Sequence, residues 1–202
     1  GDVPVNSVDV SFEAAKGIGY IKVSKFARNT YNEFITAIAK LKQAGCTSFV
    51  IDLRGNTGGY MDAAINMINE FMPEGRLIVY TEGKSFPRSD VYANGTGTCK
   101  DAPIVVLTDE ISASASEIFS GAIQDNDRGT IIGRRTYGKG LVQTQMSLSD
   151  GSEMRLTIAR YYTPSGRCIQ KKYEMGNTDA YDQDIYNRYM HGEFDSADSI
   201  KM

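Results

Sequence analysis

Across residues 17–24, Ile18, Tyr20 and Lys22 alternate with Gly19, Ile21 and Val23, a period of two that predicts a strand. The period then changes: Tyr31, Phe34, Ile35, Ile38 and Leu41 fall on one helical stripe, Thr30 and Glu33 have the spacing of a capping box, and Gly45 ends the segment. Phe49, Val50 and Ile51 are apolar on both faces, as in a strand covered from both sides. After a loop over 52–59, a second stripe runs through Ala64, Met67, Ile68, Phe71 and Met72 and stops at Pro73 and Gly75. The theme repeats with a strand at 77–80, an irregular excursion over 83–100, a buried-type strand at 104–107, and a helix on Ala115, Ile118, Phe119, Ala122 and Ile123. Residues 130–133 and 141–162 are strand-rich, with a turn at Asp150 and Gly151, and 182–190 suggest a helix within a polar tail. Strands alternating with amphipathic helices predict an α/β fold with a largely parallel sheet and flanking helices.

Composition narrows the function classes. The 202 residues are 41% hydrophobic, enough for the core of one domain. A net charge of −3 without a basic stripe argues against a nucleic-acid partner. No apolar run approaches the roughly 18 to 20 residues that cross a bilayer, so no membrane span is expected. The chain opens at Gly1 without a charged-then-apolar leader and reads as a mature fragment from which an export signal could have been removed. Cys46, Cys99 and Cys168 are far apart, and His191 is the only histidine, which leaves neither a metal-ligand cluster nor a histidine base. No metal or cofactor is expected.

Ligands of open α/β sheets bind beyond the carboxyl ends of the strands, where loops lead into helices. Three segments there carry chemistry. The loop 52–59 holds Gly55, Gly58 and Gly59, which permit close approach of a ligand to backbone N–H groups, or simply a tight turn. In 112–117 small residues surround Ser112, Ser114 and Ser116 at a helix start, where N–H groups and the helix dipole favour a developing oxyanion; Ser114 and Glu117 equally fit a capping box. In 133–140 the spacing matches a phosphate-binding loop as far as Lys139. Gly140 stands where that loop needs Ser or Thr for magnesium, and strand-like sequence follows. Flanked by Gly138 and Gly140, Lys139 fits a partly desolvated pocket where a neutral amine accepts a proton, or else an exposed turn. If the chain is extended there, Gln143 shares a side with Lys139 and is placed to orient it. Asp125 reads most simply as a helix-terminal residue, with a catalytic role as the alternative.

Taken together, 112–118, 121–125 and 137–143 resemble the C-terminal processing peptidases, or tail-specific proteases. The loop 52–59 is similar to their oxyanion loop, and 159–166 to a late strand and turn of their core. The interval of 25 residues from Ser114 to Lys139 agrees with the family's. The resemblance implies a ClpP/crotonase-like core over 17–170, leaving 1–16 as an N-terminal extension and 171–202 as a polar C-terminal tail. It implies Ser114 as nucleophile, Lys139 as general base, Gln143 orienting Lys139, and the N–H groups of Gly59 and Ala115 as the oxyanion hole. Protein or peptide substrates cut near their C-termini are implied as well, together with a PDZ domain upstream, outside this chain. The implied location is extracytoplasmic, in a bacterial periplasm or cell envelope. A binding module that has lost catalysis has no evident need for Ser114, Lys139 and Gln143 together. A nucleotide-binding protein would require magnesium-dependent binding at 133–139.

Overall fold

Residues 6–173 and 178–195 are described by the computed structural model. The chain divides into two compact units, Gly1–Gln170 and Lys171–Met202.

In the first unit, β1 (Val8–Ala15) and β2 (Ile18–Val23) lead to α1 (Thr30–Gln43), β3 (Ser48–Asp52) and α2 (Met61–Asn69). Then come β4 (Leu77–Gly83), β5 (Phe86–Tyr92), β6 (Ile104–Thr108) and α3 (Ala115–Asp125). The unit closes with β7 (Thr130–Gly133), β8 (Leu141–Ser147) and β9 (Glu153–Tyr162). One sheet has the order β1-β2-β3-β6-β7, with β2, β3, β6 and β7 parallel and β1 antiparallel on its edge. The two strands that read as buried in sequence, β3 and β6, are adjacent at the centre of this sheet, and Ile21 of β2, Ile51 of β3 and Val106 of β6 are fully buried.

Phe71, just past α2, is the hub of the core. It meets Phe34 of α1, Phe49 of β3 and Phe119 of α3 edge-on, with ring centroids 6.2, 6.4 and 6.5 Å away. Such edge-to-face contacts add to the burial of each ring, and they tie α1 to β3, which leads into the loop 52–59, and to α3, which opens at 112–117.

Two features differ from the sequence expectation. The irregular excursion over 83–100 contains β5, and a second sheet, β5-β4-β9-β8, is antiparallel throughout. The expected capping box at Thr30 does not form: Asn29 is the N-cap, and the Thr30 hydroxyl oxygen accepts the Ala27 N–H at 2.7 Å. Glu33 instead accepts the N–H groups of Ser7 and Val8 at 2.7 and 2.9 Å. A long-range pair of donors wins the carboxylate, and it fastens the start of β1 to α1, so residues 8–15 belong to the sheet.

The second unit contains α4 (Thr178–Asp182) and α5 (Asp184–Met190), where Arg188 and Glu193 form a buried pair at 2.8 Å. Among the described residues no helix is long and apolar enough to cross a membrane.

Candidate active site

The carboxyl ends of the adjacent strands β3 and β6 open into the loops 52–59 and 109–114, which lead into α2 and α3. Ser114 is the N-cap of α3, half-buried, with φ 55° and ψ −112°. Positive φ is disfavoured for a residue with a Cβ, by about 1 to 3 kcal/mol in sparsely populated regions. The surrounding bonds hold it there. Ala113 N–H donates to the Asn56 carbonyl at 3.0 Å, and the buried hydroxyls of Ser112 and Ser116 donate to the carbonyls of Leu53 at 2.8 Å and Asn56 at 2.9 Å. The residues on either side of Ser114 are thus stitched to the loop 52–59.

That loop approaches Ser114 through backbone alone. A Cβ added to Gly58, whose φ is 101°, would lie 2.7 Å from the Ala113 carbonyl oxygen, 2.8 Å from the Ser114 Cβ and 3.0 Å from the Ala115 nitrogen. At Gly59 it would collide with the Phe26 carbonyl. The N–H groups of Gly59 and Ala115 have no hydrogen-bond partner among the described residues, although the groups around them do. Two free N–H donors beside a helix start are what a tetrahedral oxyanion requires.

Glu117 brings the lysine segment to this point. Its buried carboxylate accepts the Ser114 N–H at 2.8 Å, the Thr136 hydroxyl at 2.7 Å, the Gly138 N–H at 2.6 Å and the Lys139 N–H at 2.8 Å. The Ser114 and Lys139 bonds fall on the same oxygen, Oε2. The two backbone nitrogens are therefore within two hydrogen-bond lengths of each other, well inside the reach of a lysine side chain. Burial raises the Glu117 carboxyl above its ordinary range, and the four donors work against that shift.

A match to the model of peptidase family S41 covers residues 17–179. The chain belongs to peptidase family S41. Among relatives, it is 41% identical over 156 residues to a carboxyl-terminal-processing protease of Synechocystis, covering 77% of this chain and 36% of that one. It is 38% identical over 159 residues to a chloroplastic C-terminal processing peptidase of Tetradesmus obliquus, covering 78% and 34%. The solved photosystem II D1 C-terminal processing protease superposes with a TM-score of 0.75 at 35% identity, over 83% of this chain and 46% of that one. The chain thus spans about a third of the length of these curated relatives. Its S41 core has the mixed α/β architecture, largely parallel sheet and flanking helices expected of it.

Within that S41 core, several expectations about side chains change. Lys139 is exposed, not held in a desolvated pocket, because Glu117 draws in its backbone N–H and leaves the side chain outside. Residues 134–140 lie outside the named strands, and Gln143 is exposed on β8, beside a bulge opposite Val142 and Gln143. Neither Lys139 with Gln143 nor Ser114 with Lys139 shares a side-chain hydrogen bond. Asp125 ends α3, about 16 Å from Ser114 along the helix at 1.5 Å per residue. It accepts Ser165 and Arg167 there, a structural role. The strand β8, not a helix, comes directly after Lys139, which removes the phosphate-loop reading.

Sequence reasoning also missed residues. Glu117 was legible only as a capping partner, and Ser112 and Ser116 only as neighbours of Ser114. At the base of the loop 52–59, Asp52 is buried, bonded to Tyr20 Oη at 2.5 Å and to Arg54 Nη2 at 2.7 Å, with Lys22 Nζ at 3.4 Å. Burial opposes its ionisation, but Arg54, Tyr20 and Lys22 outweigh that and hold its carboxyl well below the usual carboxylate range.

Proposed function

We propose that this chain is the catalytic core of a serine endopeptidase that cuts proteins or peptides near their C-termini, with Ser114 as nucleophile and Lys139 as general base. The observation that supports this best is the shared Glu117 oxygen, which holds the Ser114 and Lys139 backbones side by side beneath two unpartnered N–H groups.

In this reading the Ser114 Oγ attacks the scissile carbonyl as its proton passes to the neutral amine of Lys139. The carbonyl electron pair moves onto oxygen, which accepts the N–H groups of Gly59 and Ala115. Collapse expels the leaving amine, which takes the proton from Lys139, and leaves an acyl ester on Ser114. Water then attacks that ester, giving its proton to Lys139, and Ser114 Oγ recovers a proton as the acid product departs. Because Lys139 is exposed in the free chain, the bound substrate itself is what excludes water from the amine. In the same reading Gln143, the third residue of β8, orients Lys139.

The substrate-binding context follows the relatives, which are processing proteases, one of them chloroplastic. An extracytoplasmic location, in a periplasm or cell envelope, and an upstream PDZ domain that presents the substrate tail belong to the same reading. Incubation with an unfolded protein, followed by mass spectrometry of the fragments, is the test. Cleavage clustered near the substrate C-terminus and lost in Ser114→Ala supports the proposal; intact substrate, or equal cleavage by the variant, refutes it.

A further inference from the structure

Residues 58–60 carry three consecutive N–H groups, and among the described residues only the middle one lacks a partner. The Gly58 N–H donates to Asn56 Oδ1 at 2.8 Å, and the Tyr60 N–H donates to the Phe26 carbonyl at 2.8 Å. The Gly58 carbonyl accepts Phe26 N–H at 2.9 Å, so the peptide linking Gly58 to Gly59 is held by its oxygen with its N–H left over. Asn56 is fully buried, and nearly all of its hydrogen-bonding capacity is engaged. Its side-chain amide donates to the Val23 carbonyl at the end of β2 at 2.9 Å, its main-chain N–H donates to Leu53 at 3.1 Å, and its carbonyl accepts both Ala113 N–H and Ser116 Oγ. One side chain therefore spans β2, the glycine loop and the start of α3.

We propose that Asn56 is the positioning residue of the oxyanion loop: by occupying the Gly58 N–H and anchoring on Val23, it selects the Gly59 N–H as the donor turned toward Ser114. This rests on the serine-peptidase reading above for its catalytic consequence, but the hydrogen-bond selection stands by itself. The residue type is constrained on two sides. Aspartate keeps the acceptor for Gly58 but sets a second acceptor against the Val23 carbonyl, and serine is too short to reach Val23 while holding Gly58. Without the clamp, Gly58 and Gly59, whose φ values of 101° and 141° only glycine adopts readily, are free to rotate, and either N–H can face the site.

Residue-resolved amide exchange on the intact chain, read by NMR, tests the selection without any variant. The Gly58 and Tyr60 amides are expected to exchange slowly and Gly59 fast; Gly58 exchanging as fast as Gly59 overturns the proposal. An alanine-terminated tripeptide aldehyde is the second probe: Ser114 Oγ adds to its carbonyl carbon, the serine proton passes to Lys139, and the former carbonyl oxygen becomes the oxyanion. The adduct is expected to slow Gly59 exchange. Asn56→Ser is expected to lower kcat roughly 100-fold at a KM within about twofold, and to weaken the aldehyde by a like factor. Ser116→Ala, which removes a link between the loops without touching Gly58, is expected to lose far less. Parent-level kcat in folded Asn56→Ser, or equal losses in the two variants, overturns the assignment. If the parent neither cleaves peptides nor binds the aldehyde, the peptidase reading fails, while the exchange contrast between Gly58 and Gly59 still decides whether Asn56 makes the selection.

Discussion

One oxygen of the Glu117 carboxylate accepts the backbone N–H of Lys139 at 2.8 Å, across 22 residues of sequence. Because the same oxygen holds Ser114 N–H, the carboxylate sets the distance between the Ser114 and Lys139 backbones. Glu117→Gln replaces one acceptor oxygen by a donor and sets it against N–H groups already pointing inward. A buried donor left without an acceptor costs about 1 to 3 kcal/mol. The variant is expected to melt several degrees lower and to lose at least about 100-fold in kcat/KM, more than its folded fraction explains. Calorimetry beside peptide cleavage checks both; parent-like activity in the folded variant contradicts the spacing role.

The three serines separate by function. Ser114→Ala is expected to lose cleavage by several orders of magnitude with little change in stability. Ser112→Ala and Ser116→Ala each remove a buried hydroxyl that donates to a carbonyl, of Leu53 and of Asn56, which keeps a backbone N–H partner; a cost of about 1 kcal/mol is expected, while most activity stays. Parallel assays and denaturant titrations of the three variants read this pattern directly.

Lys139→Arg isolates proton transfer from charge. The side chain is exposed, so the substitution is expected to leave the melting temperature within about 1 °C of the parent, in line with the small effects of surface changes. Guanidinium cannot act as a neutral base, so cleavage is expected to vanish. An active arginine variant would show that Lys139 contributes only a positive charge.

Gly58→Ala tests the close approach of the loops. Its Cβ would press on the Ala113 oxygen and the Ser114 Cβ at a φ that alanine rarely adopts. Loss of activity together with roughly 2 kcal/mol or more of destabilisation is expected in urea unfolding monitored beside the cleavage assay.

The pH dependence of stability follows from Asp52. Its carboxyl is held below the ordinary 3.8 in the folded state, so the folded protein binds that proton less readily than the unfolded chain. The stability it contributes is present above that ordinary value and is lost as pH falls below it. Glu117, raised above 4.5, works in the opposite sense, its contribution falling as pH rises through that value. Urea unfolding of the parent is therefore expected to lose stability more steeply between about pH 5 and pH 2 than that of Asp52→Asn, in which this titration is absent. Equal slopes would place the acid sensitivity elsewhere.

How far the chain could be read without its structure depended on the range of each interaction. The strand and helix stripes of 18–23, 30–43 and 115–125 were legible because burial on one face or both imposes a period on neighbouring residues. The interval from Ser114 to Lys139 and the glycines of 52–59 were legible too, since spacing and small side chains survive in a linear text. The strands β1 and β5 were not, because both lie on sheet edges and are exposed along most of their length, so burial imposes no apolar alternation on them.

The same division runs through the site. By itself the sequence determined that a serine at a helix start, a glycine loop and a glycine-flanked lysine occur together on an α/β frame, and that the chain holds a single histidine. Only the tertiary structure decided which serine carries the strained backbone, and that Glu117 binds the lysine segment as well as its own helix start. It also separated Asp125 from the chemistry by the length of a helix and left the Lys139 side chain in solvent. These outcomes depend on which donors reach a buried carboxylate first and on which backbone groups remain unpaired after the loops pack. Both are set by contacts between segments tens of residues apart, and local sequence pattern carries no record of them.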